Sequence, residues 1–385
     1  MAAIKSARKL PFDIKEYRQR LARVRKNMEK AGADVMLVTA PENIYYLLGY
    51  HTVGYFSFQV LIVALDRDPI MLARGLNTTQ VENDSWIKDI EGYGDTDDPN
   101  DALVRVLDKY GLLKKRIGNQ NNAFFFTVAE YKKLVARLGK EPVDCSGAIE
   151  QVRLIKSPAE LAYMRKAGKC AGAAIDACLD AIQPGNTEND VAAALHDGLI
   201  RAGSEYLGHP PLVVTGPAAG VGMETWKRRK IKKNDVFFIE NGGTFQRYNV
   251  GLSRTVIVGK PGQKWIDMYD ACRDGFMKAA RAMKPGVTSH EVDKACRDHI
   301  KGLGYPFDKR VGYSIGIGFP PDWGEGRTAS INQGDRMVLK AGMVFHMVPN
   351  LRIYGEGAVM FSETWAVTEK GTECLTKYNR NLMYR

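Results

Sequence analysis

The first third of the chain alternates between two hydrophobic periods. Tyr17, Leu21, Val24 and Met28 recur at helical spacing, and Gly32 stands where that helix should stop. "DVMLVTA" then reads as a strand, and "SFQVLIVAL" and "PIMLARG" as two more joined by the charged turn "DRD". Helical spacing returns around Asp101–Tyr110 and Val128–Leu138, with a strand at "KRIGNQ" between them. This pattern predicts an α/β domain over residues 1–150. A second domain, 151–385, opens with a long helix: Ser157-Pro158 places proline at its first position and acid in its first turn, and Pro184-Gly185 ends it.

The second domain repeats itself. "IQPGNTENDVAAALHDGLIRAGSEY" matches "MKPGVTSHEVDKACRDHIKGLGYPF", with Pro184/Pro285, Thr187/Thr288, Val191/Val292, Asp197/Asp298 and Gly203/Gly304 in register. Both copies begin Thr-x-x-acid, the form of a capping box. The match runs on into strands: "NDVFFIEN" aligns with "AGMVFHMVPN", so Phe237 corresponds to Phe345 and Glu240 to Val348. A duplicated helix-plus-strand unit implies a pseudo-twofold shell with a central cleft lined by equivalent strands.

Composition narrows the function. Apolar residues make up 45% and charged residues 26% of the 385, both globular values. No apolar run approaches a membrane span, and the basic start lacks the apolar core of a secretory signal. Six scattered cysteines without a Cys-x-x-Cys fit reduced, buried thiols and a cytoplasmic setting. The net charge of +11 permits an acidic partner. Its only dense run, "WKRRKIKK", has no accompanying nucleic-acid module, so it reads as a solvated turn and no nucleic-acid partner is expected.

Taken together, "RLARVRKNMEKAGADVMLVTAPENIYYLLGY", "VRLIKSPAELAYMRKAG", "YNVGLSRTVIVG" and "LKAGMVF" resemble the pita-bread superfamily of methionine and Xaa-Pro aminopeptidases, prolidase and creatinase. The resemblance implies an N-terminal creatinase-like α/β domain followed by a pita-bread catalytic domain of α+β build. The metallopeptidase members hold two metals with Asp, Asp, His, Glu and Glu, hard donors that generate a nucleophilic hydroxide. Those five positions fall here on Glu240, Gly251, Tyr313, Val348 and Ser362. One carboxylate in five remains, and Gly and Val have no donor to offer. The expectation is therefore no metal and no cofactor.

Four stretches carry a nearer likeness to the ectoine hydrolase branch: "ETWKRRKIKKNDVFFIENGG", "RYNVGLSRT", "GYSIGIGFPPDWGE" and "FSETWAVTEKG". Ectoine hydrolases open a cyclic amidine. A carboxylate suits that group twice, pairing with the amidinium and then attacking it or activating water. The resemblance places the nucleophilic glutamate at Glu240, where apolar neighbours Phe238 and Ile239 would raise its pKa. Its bland alternative is a solvent-facing glutamate or one paired with Arg247 or Arg254. Glu363 is expected across the cleft as a second carboxylate, with a plain structural charge as the alternative. Arg327 is a candidate for a substrate carboxylate, Tyr313 for a hydrogen bond, and Trp323 and Trp226 for the walls around a ring. Tyr55 and Phe56, in "GYHTVGYFSFQ", resemble a loop that reaches the neighbouring subunit's pocket in creatinase-like homodimers with shared active sites.

The family pattern is broken in two places. The usual catalytic histidine falls on Met223, which cannot carry a proton, and another expected histidine is Asn249. Glu224, beside Met223, and His346, on the opposite half, are the available substitutes, although a lone histidine in an apolar strand is more often a core residue. The reading is a metal-independent hydrolase for ectoine or a related small zwitterionic amidine or amide. The alternatives are a hydrolase or lyase for a guanidino compound or another compatible solute, a shell that binds without catalysis and, last, an Xaa-Pro peptidase.

Overall fold

The computed structural model describes residues 10–323 and 325–385. The basic start of the chain and Gly324, within the "PPDWGE" run, lie outside the described residues. The chain divides into two compact units, one ending at Arg153 and one running from Leu154 to Arg385.

The first unit is built on a six-stranded sheet ordered Asp89–Tyr93, Ile70–Arg74, Val60–Ala64, Val35–Val38, Ile117–Asn119, Val143–Asp144. Val35–Val38 runs antiparallel to Val60–Ala64 and parallel to Ile117–Asn119. The helix Ile14–Ala31 buries Tyr17, Leu21, Val24 and Met28, the four positions its periodicity selects. Asp13 caps its start, and Gly32 ends it in the left-handed region at φ 84°.

The second unit carries the duplication. Helix Pro158–Ala181 starts in a capping box made by Ser157 and Glu160. The helices Glu188–Arg201 and Ser289–Gly302 start in equivalent boxes, Thr187 with Asp190 and Thr288 with Glu291. Both repeat copies also make the same isolated bridge, Thr187 to Lys230 and Thr288 to Val338. Each helix packs on its neighbour, Pro158–Ala181 on Glu188–Arg201 and Gln263–Ala282 on Ser289–Gly302.

The helices back two larger sheets and a two-stranded one, Asn350–Ile353 with Gly357–Met360. One larger sheet is ordered Met383–Tyr384, Tyr248–Ile257, Val236–Phe245, Leu212–Thr215, and the other Ser330–Ile331, Gly312–Ser314, Val344–Met347, Glu363–Thr368, Gly371–Cys374. Bridges between Ser253 and Ser362 and between Tyr248 and Ile317 join them. The long hairpin Val236–Phe245/Tyr248–Ile257 turns through Gln246 and Arg247, both at positive φ (48° and 57°), the geometry of a primed two-residue turn. Neither residue favours that region alone. The Glu205 carboxylate accepts from both of their backbone N–H groups, and the Arg247 guanidinium stacks 3.8 Å over Tyr206. No helix among the described residues is long and apolar enough to cross a membrane.

Candidate active site

The hairpin fixes Glu240. Its register sets Glu240 against Ser253 on one side and Leu212 on the other, in the middle of a four-stranded sheet. Strand alternation sends its carboxylate to the same face as Phe238 and Gly242. There it opens into a cavity of about 290 Å³. Only 7% of the residue is exposed, and no described residue donates a hydrogen bond to its carboxylate. Burial pushes Glu240 up to about 7, against the opposing pull of the Arg352 guanidinium.

Next to Glu240 is His346, whose Nε2 lies 3.9 Å from Oε1. The contact is not an ion pair. The imidazole is fully buried, and burial together with the nearby His209 depresses it to about 3. Its Nδ1 lies 3.2 Å from the Tyr313 hydroxyl and its Nε2 2.8 Å from Ser362 Oγ. Trp323 Nε1 donates to the same Tyr313 hydroxyl at 3.1 Å. Burial and the Glu240 carboxylate both raise the Tyr313 phenol, so it stays protonated. The imidazole has room because residue 251 is glycine. A Cβ there would lie 2.3 Å from His346 Cε1 and 2.5 Å from both ring nitrogens.

Trp323 and Tyr313 line the cavity. The Trp323 ring stacks on His209 at 4.6 Å and meets His346 edge-on at 5.6 Å. Arg327 lies at the exposed rim and makes no ion pair with a described residue. Arg310 is held beside it: its guanidinium donates to Gly326 O and Ser330 Oγ and lies 4.5 Å over the Tyr313 ring. Met223 also lines the rim, 73% exposed, and takes a left-handed backbone at φ 59°. A side-chain-bearing residue in that region costs about 1–3 kcal/mol, and such strain concentrates at functional sites.

Other expectations need correction. Glu363 does not face Glu240 across the cavity. It follows Ser362 on a strand, so its side chain points to the opposite face, fully buried between Arg254 at 2.7 Å and Arg380 at 2.9 Å. Trp365 Nε1 also donates to it. Arg254 is thereby committed, and Arg247 is held at the hairpin turn, so neither neutralises Glu240. Glu224 pairs with Lys227 in a partly exposed bridge and is not among the described residues lining the cavity. Trp226 packs edge-on against His196, outside that lining. Tyr55 and Phe56 belong to the first unit, where Tyr55 packs 5.0 Å from Phe125 and Phe56 is 75% exposed.

Sequence reasoning missed His209, Arg310 and Arg352. Arg352 is anchored by donating to Ala219 O, Val221 O and Asn350 Oδ1, and it supplies the opposing charge closest in effect to Glu240. None of the three has a motif around it. Only the fold brings them in.

The two-metal centre of the metallopeptidase relatives does not fit these residues. Its second acid position is Gly251, whose side-chain space holds an imidazole, and its fourth is Val348, which packs with the apolar cluster of Leu212, Val214, Phe238 and Met360. Among the described residues no group of three or more His, Cys, Asp or Glu stands together in a metal-binding arrangement.

Comparison with known proteins gives the same lineage. Residues 162–369 match the model of metallopeptidase family M24, and residues 20–155 that of the creatinase/prolidase N-terminal domain. An uncharacterized hydrolase/peptidase of Sinorhizobium fredii is 32% identical across 98% of this chain and 99% of its own. The ectoine hydrolase of Halomonas elongata is 29% identical over the same shares. The prolidase of Thermococcus sibiricus superposes with a TM-score of 0.87 at 23% identity, covering 96% of this chain and 99% of its own, a likeness of fold. The chain belongs to metallopeptidase family M24, with a creatinase/prolidase N-terminal domain, and its likeness reaches to the ectoine hydrolase branch.

Proposed function

We propose that this protein is a hydrolase that opens ectoine or a related small cyclic amidine or amide, with Glu240 as nucleophile or base and without a catalytic metal. The observation that carries this reading is the Glu240 carboxylate: buried, accepting no hydrogen bond from a described residue, and facing a cavity of about 290 Å³. A delocalised cation such as an amidinium fits that environment, because it supplies the charge and the donors the carboxylate lacks. Trp323 offers a flat wall for a ring, and Arg327 at the rim offers a guanidinium for a carboxylate at the other end of a zwitterion.

The chemistry follows from those positions. A Glu240 oxygen attacks the amidinium carbon, or directs a water to it, forming a C–O bond. One C–N bond then opens and its electron pair leaves with the nitrogen, which takes a proton. With water added, an amidinium becomes an amide and an ammonium. The ionised fraction of Glu240 near neutral pH is substantial, since its proton affinity is centred at about 7.

A homodimer that completes the cavity with the Tyr55–Phe56 loop, and a cytoplasmic setting, belong to the same proposal. Guanidino compounds share the delocalised cation and are the second substrate class to test.

The deciding experiment measures ectoine hydrolysis by the full chain before and after exhaustive chelation, with Glu240→Gln alongside. Retained turnover after chelation and its loss in Glu240→Gln support the proposal. Hydrolysis of Xaa-Pro dipeptides that a chelator abolishes would replace it with the peptidase reading.

A further inference from the structure

The hydrogen-bond chain beside Glu240 can run in either of two directions. An indole N–H only donates, so the Tyr313 oxygen accepts from Trp323 at one end. In the first arrangement Tyr313 O–H donates to Nδ1 of His346, and Nε2–H donates to Ser362 Oγ. In the second, Ser362 donates to Nε2 and Nδ1–H donates to the Tyr313 oxygen. A phenol oxygen has lone pairs for both N–H donors, so the second arrangement leaves the Tyr313 O–H free. Tyr313 lines the cavity, so a released O–H is presented to the water or substrate that fills it.

The choice depends on the group 3.9 Å from Nε2, which is Glu240 Oε1. A carboxylate at that distance favours an N–H and disfavours a lone pair, and at this buried position the preference is little screened. A neutral group in the same place removes it, and the second arrangement then prevails because it gives the buried Ser362 O–H an acceptor, His346 Nε2, where no other is found among the described residues. We infer that the tautomer of His346 follows the charge on Glu240, so that the Tyr313 hydroxyl turns its hydrogen into the cavity when Glu240 loses its charge. The two arrangements contain the same atoms and the same total charge: one proton has moved from Nε2 to Nδ1, and the two hydroxyls have turned.

Gly251 is what permits this. It admits a neutral ring into the space beside Glu240 where any side chain at 251 would collide. The catalytic use rests on the reading of Glu240 as the nucleophile. On bonding to the substrate carbon Glu240 becomes neutral, and the same event offers a hydrogen bond to the departing nitrogen or the carbonyl that forms. Tyr313 is then a substrate-facing donor, and His346 and Ser362 are positioning residues that gate it.

The test is 15N-detected NMR of the imidazole rings in the ligand-free full chain at alkaline pH, with the His346 signals assigned by their loss in His346→Gln. The expected result is a proton on Nε2 in the wild type and on Nδ1 in Glu240→Gln, seen as an exchange of the two nitrogen shifts. Adding Tyr313→Phe to Glu240→Gln removes the acceptor for Nδ1–H and should return the proton to Nε2. The same tautomer in the wild type and Glu240→Gln, or a doubly protonated ring, overturns the inference. No turnover is needed, so a switching tautomer in a protein that fails to open ectoine would overturn the proposed function alone.

Discussion

Gly251 and His346 occupy one another's space: a Cβ on residue 251 would fall 2.3 Å from the imidazole Cε1. The two belong to different halves of the duplicated domain, on strands Tyr248–Ile257 and Val344–Met347. In the metallopeptidase pattern residue 251 carries an acid that reaches a metal. Here the glycine and the histidine together replace that acid with a neutral ring. The vacated volume is refilled, and the refilling group is hydrogen-bonded at both nitrogens.

The pair should behave as a unit on mutation. Gly251→Ala forces a methyl into the imidazole and should cost about 1–3 kcal/mol, the usual range for overpacking a filled core. In a His346→Ala background the same methyl has space, so the added cost should fall close to zero. Denaturant unfolding of the two singles and the double measures the coupling. Equal costs of Gly251→Ala in both backgrounds would show that the ring does not hold that volume.

Glu363 separates structural from catalytic charge. It is fully buried with Arg254 at 2.7 Å, and removing one member of such a pair leaves the other uncompensated. Glu363→Gln should therefore destabilise the chain by about 3–5 kcal/mol. The folded fraction should keep its kcat, because the side chain points away from the cavity. A thermal melt read beside kcat at a temperature where the variant is folded decides this. A large loss of kcat without loss of stability would restore Glu363 to the site.

Arg327 should act on binding. Its guanidinium is at the cavity rim without an ion-pair partner among the described residues. A charge-assisted hydrogen bond is worth about 1.5–3 kcal/mol, and about 1.4 kcal/mol is tenfold in affinity. Arg327→Met should then raise KM about 10- to 100-fold for a carboxylate-bearing substrate and leave kcat nearly unchanged. An amide analogue of that substrate should show little difference between the two proteins. If KM rises equally for both, the arginine shapes the rim rather than reading the carboxylate.

The sequence made the scaffold readable and left half of the site hidden, and the residues show why. Tyr17, Leu21, Val24, Met28 and Gly32 define a helix and its end through local periodicity and backbone freedom alone. Thr187 and Thr288 announce two equivalent helix starts, since a capping box is a local device. Glu240, Tyr313 and Trp323 are reached through the family resemblance, which carries motif positions, and not through any local pattern. Glu363 went wrong at one step of alternation: adjacent residues of a strand face opposite ways, and Ser362 took the inward place. His209 and Arg310 line the cavity and Arg352 acts on Glu240 by its charge, all from segments far apart in the chain. Nothing local to them marks a shared cavity.

Stability and activity should run in opposite directions with pH. Burial raises Glu240 from 4.5 to about 7, so the folded state holds this proton more tightly than the unfolded state does. A raised folded pKa contributes stability that is fully present below the unfolded value and is lost as pH rises through the folded one. One pKa unit corresponds to about 1.4 kcal/mol, so the wild type should lose about 3 kcal/mol relative to Glu240→Gln as pH rises from below 4.5 to above 7. In the proposed reaction turnover needs the carboxylate, so kcat/KM should climb over the upper part of the same window with an apparent pKa near 7. His346 is depressed to about 3 and contributes no limb of its own there. Urea unfolding of both proteins across that range, beside a kcat/KM profile, tests the pair of trends. An acidic limb near the ordinary carboxylate value would mean that the Glu240 carboxylate is solvated in solution, and that the cavity does not hold it dry.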